Sequence, residues 1–128
     1  MKTSLKCYQS ISVSKMYEYN CKVLRVVDGD TVDVDIDLGF SVVLRNQRIR
    51  LLGIDAPESR TRDLEEKKLG KNATRFLEGI LGETCILRTT LDKKGKYGRI
   101  LGTLYDNPYD ISINEQMVQA GHATWYES

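Results

Sequence analysis

The chain has 128 residues, 41% of them hydrophobic, enough for one domain with a packed core and too many for a disordered chain. Its 19 Lys and Arg against 18 Asp and Glu leave a formal charge of +1, which excludes a global field drawing it onto nucleic acid or an anionic membrane. Any polyanion contact must come from a local cluster.

Residues 1–16 are polar and show little periodicity, so a flexible N-terminal extension is expected, followed by a single domain over residues 17–128. The first 16 residues hold no continuous apolar core of a secretory signal. No stretch approaches the roughly 18 apolar residues of a membrane span. A cytoplasmic or intracellular protein without membrane contact is therefore expected. The three cysteines, Cys7, Cys21 and Cys85, lie far apart with no C-x-x-C pair. That argues against a disulfide framework or a zinc site, and they read as free thiols in a reducing compartment.

Tyr17 to Val27 reads as a first strand, with Tyr17, Tyr19, Cys21 and Val23 on one face. Asp28-Gly29-Asp30 is a tight turn. Thr31 to Asp37 alternates apolar and acidic residues, a half-buried strand in which Asp33, Asp35 and Asp37 form a solvated face. Leu38-Gly39 breaks that pattern, and Arg45-Asn46-Gln47 reads as another turn. Arg48 to Asp55 is the next strand, stopped by Pro57, which cannot donate to a ladder and biases Ala56 away from helix.

From about Asp63 the period changes. Leu69, Ala73, Phe76, Leu77, Ile80 and Leu81 recur at helical spacing, and Gly82 stands where a helix stops. Gly70 weakens the first turns by about 1 kcal/mol relative to Ala. Thr84 to Leu91 and Ile100 to Tyr105 are further strands, joined by the basic turn Asp92-Lys93-Lys94-Gly95-Lys96-Tyr97-Gly98-Arg99. Ile113, Met117, Val118 and Ala120 mark a short second helix, ended by Gly121. The order predicts a mainly β, α+β domain: a five-stranded Greek-key OB-fold barrel with a helix after the third strand and a second short helix near the C-terminus.

The acids Asp30, Asp55 and Glu58 all stand at strand ends. If the strands pair as a meander, they share one rim. Carboxylates gathered with a backbone carbonyl make a hard-oxygen site suited to Ca²⁺ or Mg²⁺. A zinc hydrolase or a Ser-His-Asp triad would need His122, the one histidine, which reads as structural. Arg50 and Arg99 offer planar guanidinium groups that match phosphate oxygens in pairs. The bland alternative is a solvated hairpin tip at 92–99 and a surface charge at Arg50.

Val27-Asp28-Gly29-Asp30-Thr31-Val32, Arg50-Leu51-Leu52-Gly53-Ile54-Asp55-Ala56-Pro57-Glu58, Gly70 with Ala73 and Phe76, and Lys96-Tyr97-Gly98-Arg99 resemble the motifs of the staphylococcal nuclease (thermonuclease) family, in their order and separation. The resemblance runs from about Lys22 to Thr124. It implies an OB-fold and Ca²⁺-dependent, sugar-nonspecific hydrolysis of DNA and RNA, with single strands preferred and no obligate protein partner. By position, Asp30 and Asp55 would ligate one Ca²⁺ with the Ala56 carbonyl, and Thr31 would act through a water. Glu58 would orient or deprotonate the attacking water, and Arg50 and Arg99 would hold the scissile phosphate. Lys96 and Tyr97 would contact a neighbouring phosphate, while Lys93 and Lys94 add to binding. The stretch from Asp30 to Arg50 is longer than in the type enzyme, so an extended hairpin is expected. The alternative is a catalytically inactive OB-fold module that binds nucleic acid or protein.

Overall fold

The computed structural model describes residues 16–90, 100–107 and 110–126. The extension before residue 16 and the basic turn over 91–99 lie outside the described residues. The elements run β1 (Met16–Asp28), β2 (Thr31–Gly39), β3 (Val42–Leu51), β4 (Ile54–Asp55), α1 (Leu64–Ile80), β5 (Thr84–Thr90), β6 (Ile100–Tyr105), α2 (Ile113–Gln119) and β7 (Thr124–Trp125). Five strands close into a barrel in the order β1-β2-β3-β6-β5. All pairings are antiparallel except β3 with β6. This is the expected α+β OB-fold, with a helix after the third long strand.

The alternation in the sequence accounts for the core. Val32, Val34 and Ile36 of β2, Ile49 and Leu51 of β3, Leu87 of β5 and Leu104 of β6 are buried at two-residue spacing. Ala73 and Leu77 of α1 and Ile113 and Met117 of α2 close the barrel at four-residue spacing. Strand β1 serves two partners. Met16 to Lys22 pair with β5, and Asn20 to Asp28 pair with β2, through two bulges that bend it.

Helix α1 starts at Asp63, whose carboxylate accepts from the N–H groups of Glu65 at 3.0 Å and Glu66 at 3.4 Å. Gly70 lies within the helix rather than weakening it into a loop. A Cβ there would stand 2.4 Å from the Glu58 carbonyl, so only glycine lets the 56–59 loop lie on the helix.

Three local expectations change. Arg45-Asn46-Gln47 is not a turn: the chain reverses earlier, at Phe40-Ser41, both in the left-handed region (φ 55° and 64°). Asn46, at φ 54°, marks a bulge inside β3, where three steps on β3 match two on β2. Asp33 is not on a solvated face. It is buried, because β2 is covered on both faces near its start, and it takes Arg48 at 2.8 Å and Arg25 at 2.9 Å. The strand from Arg48 ends at Leu51, since Gly53 (φ 81°) turns the chain before β4.

Candidate active site

The barrel end formed by the β1–β2 turn, the end of β3 and the start of β6 carries the site. Asp30 sits in the turn, and its backbone carbonyl accepts from Leu51 N–H at 2.8 Å, which fixes the turn against β3. Both oxygens of its nearly buried carboxylate have partners. Oδ1 accepts from the Thr31 hydroxyl at 3.0 Å, and Oδ2 accepts from Ala56 N–H at 3.0 Å. The second bond draws the loop after β4 over the turn. Gly29 permits this approach, since a Cβ there would lie 2.9 Å from the Ala56 Cβ and 2.7 Å from that of Ala73.

Arg50 is held on three sides. Nη1 donates to the carbonyls of Leu51 at 2.9 Å and Ile54 at 2.8 Å, which the turn at Gly53 brings together. Nη2 lies 3.5 Å from Asp30 Oδ2 and 3.5 Å from Asp55 Oδ1. The Tyr126 ring stands 5.5 Å from Cζ, positioned by its own N–H donating to the Gly53 carbonyl at 2.9 Å and by β7 pairing with β4. The Arg50 side chain is only 12% exposed, while that of Asp55 is 67% exposed. The site is therefore a fixed cation with one sheltered and one open carboxylate.

Glu58 lies on the same loop, three residues past Asp55, and is exposed. Its backbone is clamped from two sides. Glu58 N–H donates to Glu66 at 3.4 Å, and the neighbouring Ser59 hydroxyl donates to Asp28 at 2.6 Å. Its carboxylate pairs with no described residue, which leaves it available to solvent or a ligand. A cleft of about 440 Å³ adjoins Asp55, lined by Ala56, Pro57, the acidic first turn of α1 and His122. His122 itself stacks on Phe76, ring centres 4.7 Å apart.

The structure thus brings together Asp30, Thr31, Arg50, Asp55 and Ala56, with Glu58 on the adjoining loop. Arg99, Lys93, Lys94, Lys96 and Tyr97 lie outside the described residues. One contributor escaped the sequence reading, and a second was legible only as to region. Tyr126, with Trp125 in the region after the last helix where the family resemblance expects aromatics flanking the nucleotide, stands over Arg50, a register the chain did not give. Buried Asn114 donates to the Leu52 carbonyl at 2.9 Å and the Gly102 carbonyl at 3.3 Å, and accepts from Leu104 N–H at 3.2 Å. It ties the end of β3, and so Arg50, to β6. A lone Asn in a short amphipathic helix carries no signal of such a role.

These features define an OB-fold barrel with an acid–arginine site at one rim. Residues 48–128 match the model of the family described as staphylococcal nuclease homologue, and the chain belongs to that family. It is 37% identical over 107 residues to an uncharacterized endonuclease of Escherichia coli, covering 83% of this chain and 60% of that one. A thermonuclease of Staphylococcus hyicus is 33% identical over 118 residues, 91% of this chain and 64% of its own. Endonuclease YhcR of Bacillus subtilis is 34% identical over 116 residues, 85% of this chain and 9% of that far longer one. The chain spans less than two thirds of each of these curated relatives. Among the described residues no helix is long and apolar enough to cross a membrane.

Proposed function

We propose that this chain is a metal-dependent endonuclease domain that hydrolyses phosphodiester bonds of DNA and RNA, single strands preferred, by attack of an activated water on phosphorus. The observation that carries the reading is the state of Arg50. Its Nη1 is committed to two carbonyls, while Nη2 stands at the long distance of 3.5 Å from each carboxylate. A guanidinium locked in place yet not closed into a tight ion pair keeps donors for a phosphate oxygen. The nuclease and endonuclease names of the relatives support the same reading.

The donor chemistry fits a hard cation. Asp30 Oδ1 has one close partner and Oδ2 has Ala56 N–H with Arg50 at the longer 3.5 Å, and Asp55 presents its carboxylate to solvent. Among the described residues no group of three or more His, Cys, Asp or Glu side chains is arranged to hold a metal ion by itself. An open site completed by water and substrate suits Ca²⁺ or Mg²⁺ better than zinc. Asp30, Asp55 and the Ala56 carbonyl would hold one Ca²⁺, with Thr31 acting through a water, and the ion would supply Lewis-acid polarisation of the phosphoryl group. The chain's own groups do the rest. Arg50 binds a non-bridging phosphate oxygen and neutralises charge that builds as water attacks. Glu58 orients that water and takes its proton. Arg99 would add a second guanidinium, Lys96 and Tyr97 a grip on a neighbouring phosphate, and Lys93 and Lys94 further binding, on the strength of the family resemblance.

The test is cleavage of single-stranded DNA and of RNA by purified protein with Ca²⁺, with Mg²⁺ and with chelator. Cleavage of both polymers that requires Ca²⁺ is expected. Binding of strands without cleavage under any cation would overturn the proposal in favour of a non-catalytic OB-fold binding module.

A further inference from the structure

The end of the barrel away from the acid–arginine rim holds the two described cysteines. They are 64 positions apart in number, 21 and 85, yet they face each other directly as register partners on β1 and β5. Both are free thiols and both are 3% exposed. The expected free thiols are observed for these two, but the fold sets side by side residues that are scattered in the sequence. A cavity of about 570 Å³ opens at this end, and both cysteines line it, together with Lys22, Arg45, Asp37 and Asp106.

We propose that Cys21 and Cys85 form a reversible oxidation site, closing to an intramolecular disulfide when a small-molecule disulfide of the glutathione type enters this cavity. Three observations carry it. First, directly opposed residues on antiparallel strands have Cα atoms about 4.5–5.5 Å apart, which falls inside the window of about 4.4–6.8 Å that a disulfide spans. Second, thiols buried in a core are ordinarily inert, but these two line an open cavity large enough for a small molecule, with side chains of both charge signs at its wall. Third, the Cys21 thiol donates to the Tyr19 carbonyl at 3.9 Å, and the two opposed thiols shift each other's acidity in opposite directions. Cys21 is pushed far up by the neighbouring Cys85 and by burial, whereas Cys85 is held below the usual thiol value by the neighbouring Cys21. Cys85 is accordingly assigned as the attacking thiol of the proposed exchange.

The exchange balances. The Cys85 thiolate attacks one sulfur of the small disulfide, forming a mixed disulfide and releasing one thiolate. Cys21 then gives up its proton, and its sulfur attacks the Cys85 sulfur, releasing the second thiolate. One S–S bond forms in the protein and one breaks in the reagent. Two electrons pass to the reagent, and the two cysteine protons end on its two thiols. The site is independent of the proposed nuclease activity.

The experiment uses the full chain carrying Cys7→Ser, so that these two cysteines are the ones that remain, equilibrated with stepped ratios of oxidised to reduced glutathione. Native protein is then alkylated and mapped by mass spectrometry without reduction. The expected result is a monomer lighter by two hydrogens, a linked peptide pair containing Cys21 and Cys85, and a raised thermal midpoint that reductant restores. A Cys21→Ser version of the same chain is expected to stop at a glutathione adduct on Cys85 or to stay reduced. Free thiols at every ratio while the protein remains folded, or only dimers linked between chains, would overturn the proposal.

Discussion

The two ends of the β2–β3 hairpin obey opposite rules. At the rim, Asp30, Thr31 and Arg50 are buried or nearly so, and the Asp30 carboxylate, the Thr31 hydroxyl and Arg50 Nη1 are each tied to a neighbour's backbone or side chain. At the tip, Leu38, Val42, Val43 and Leu44 are each more than a third exposed, and Phe40 is fully exposed. Phe40 and Ser41 also hold positive φ, which costs a non-glycine residue about 1–2 kcal/mol. The same pair of strands therefore carries one end where geometry is over-determined and one where the chain tolerates strain. Precision is concentrated where Arg50 must stand still. Changes at the rim should alter turnover with the fold intact, and changes at the tip should alter stability with turnover intact.

The largest effect is expected from Arg50→Lys. It keeps a cation but loses the planar fork that grips the Leu51 and Ile54 carbonyls. Turnover on single-stranded DNA should fall about 10²–10³-fold, in line with loss of one preorganised donor. A rate within a few-fold of the parent would break the comparison. Next comes Asn114→Ala, which leaves Leu104 N–H without its partner and removes the side-chain tie between the Leu52 and Gly102 carbonyls. Urea denaturation should report a loss of about 1–3 kcal/mol.

Asp33 gives a pH-dependent effect. The Arg48 guanidinium, with that of Arg25, holds its carboxyl below the usual carboxylate range. Its contribution is therefore complete above the unfolded value near pH 4 and is lost as pH falls through the lower folded value. Asp33→Asn should cost about 1–3 kcal/mol at pH 7, and the gap from the parent should shrink on acidification below about pH 4. A gap that is constant from pH 7 to pH 3 would contradict the ion-pair account. The smallest effect is at the tip. Phe40→Asn suits the left-handed region and should raise stability by about 0.5–1 kcal/mol, read in the thermal midpoint, with turnover unchanged.

Much of this was legible in the chain. Period-two runs, period-four runs and glycine punctuation placed the strands and helices in order, because each is a local pattern. The rim residues were legible because Asp30, Arg50 and Asp55 stand where strands meet turns. What failed was long-range. The turn at Phe40-Ser41 was hidden because an aromatic residue is not a turn signal. Asp33 alternated like a surface acid, and only packing on both faces of β2 made it a buried counter-ion. Cys21 and Cys85 became neighbours only through the β1–β5 register, and Asn114 became a tie only once α2 was laid over the ends of β3 and β6.

The central claim is that the rim does chemistry rather than merely binding, and Glu58→Gln tests it most directly. Glu58 is exposed, its carboxylate pairs with no described residue, and its replacement leaves the backbone clamp by Glu66 and Ser59 intact. The measurement is Ca²⁺-dependent turnover of single-stranded DNA at saturation, beside the thermal midpoint and strand affinity. The account predicts a loss of at least about 10²-fold in turnover with midpoint and affinity unchanged. Turnover close to the parent's would contradict it.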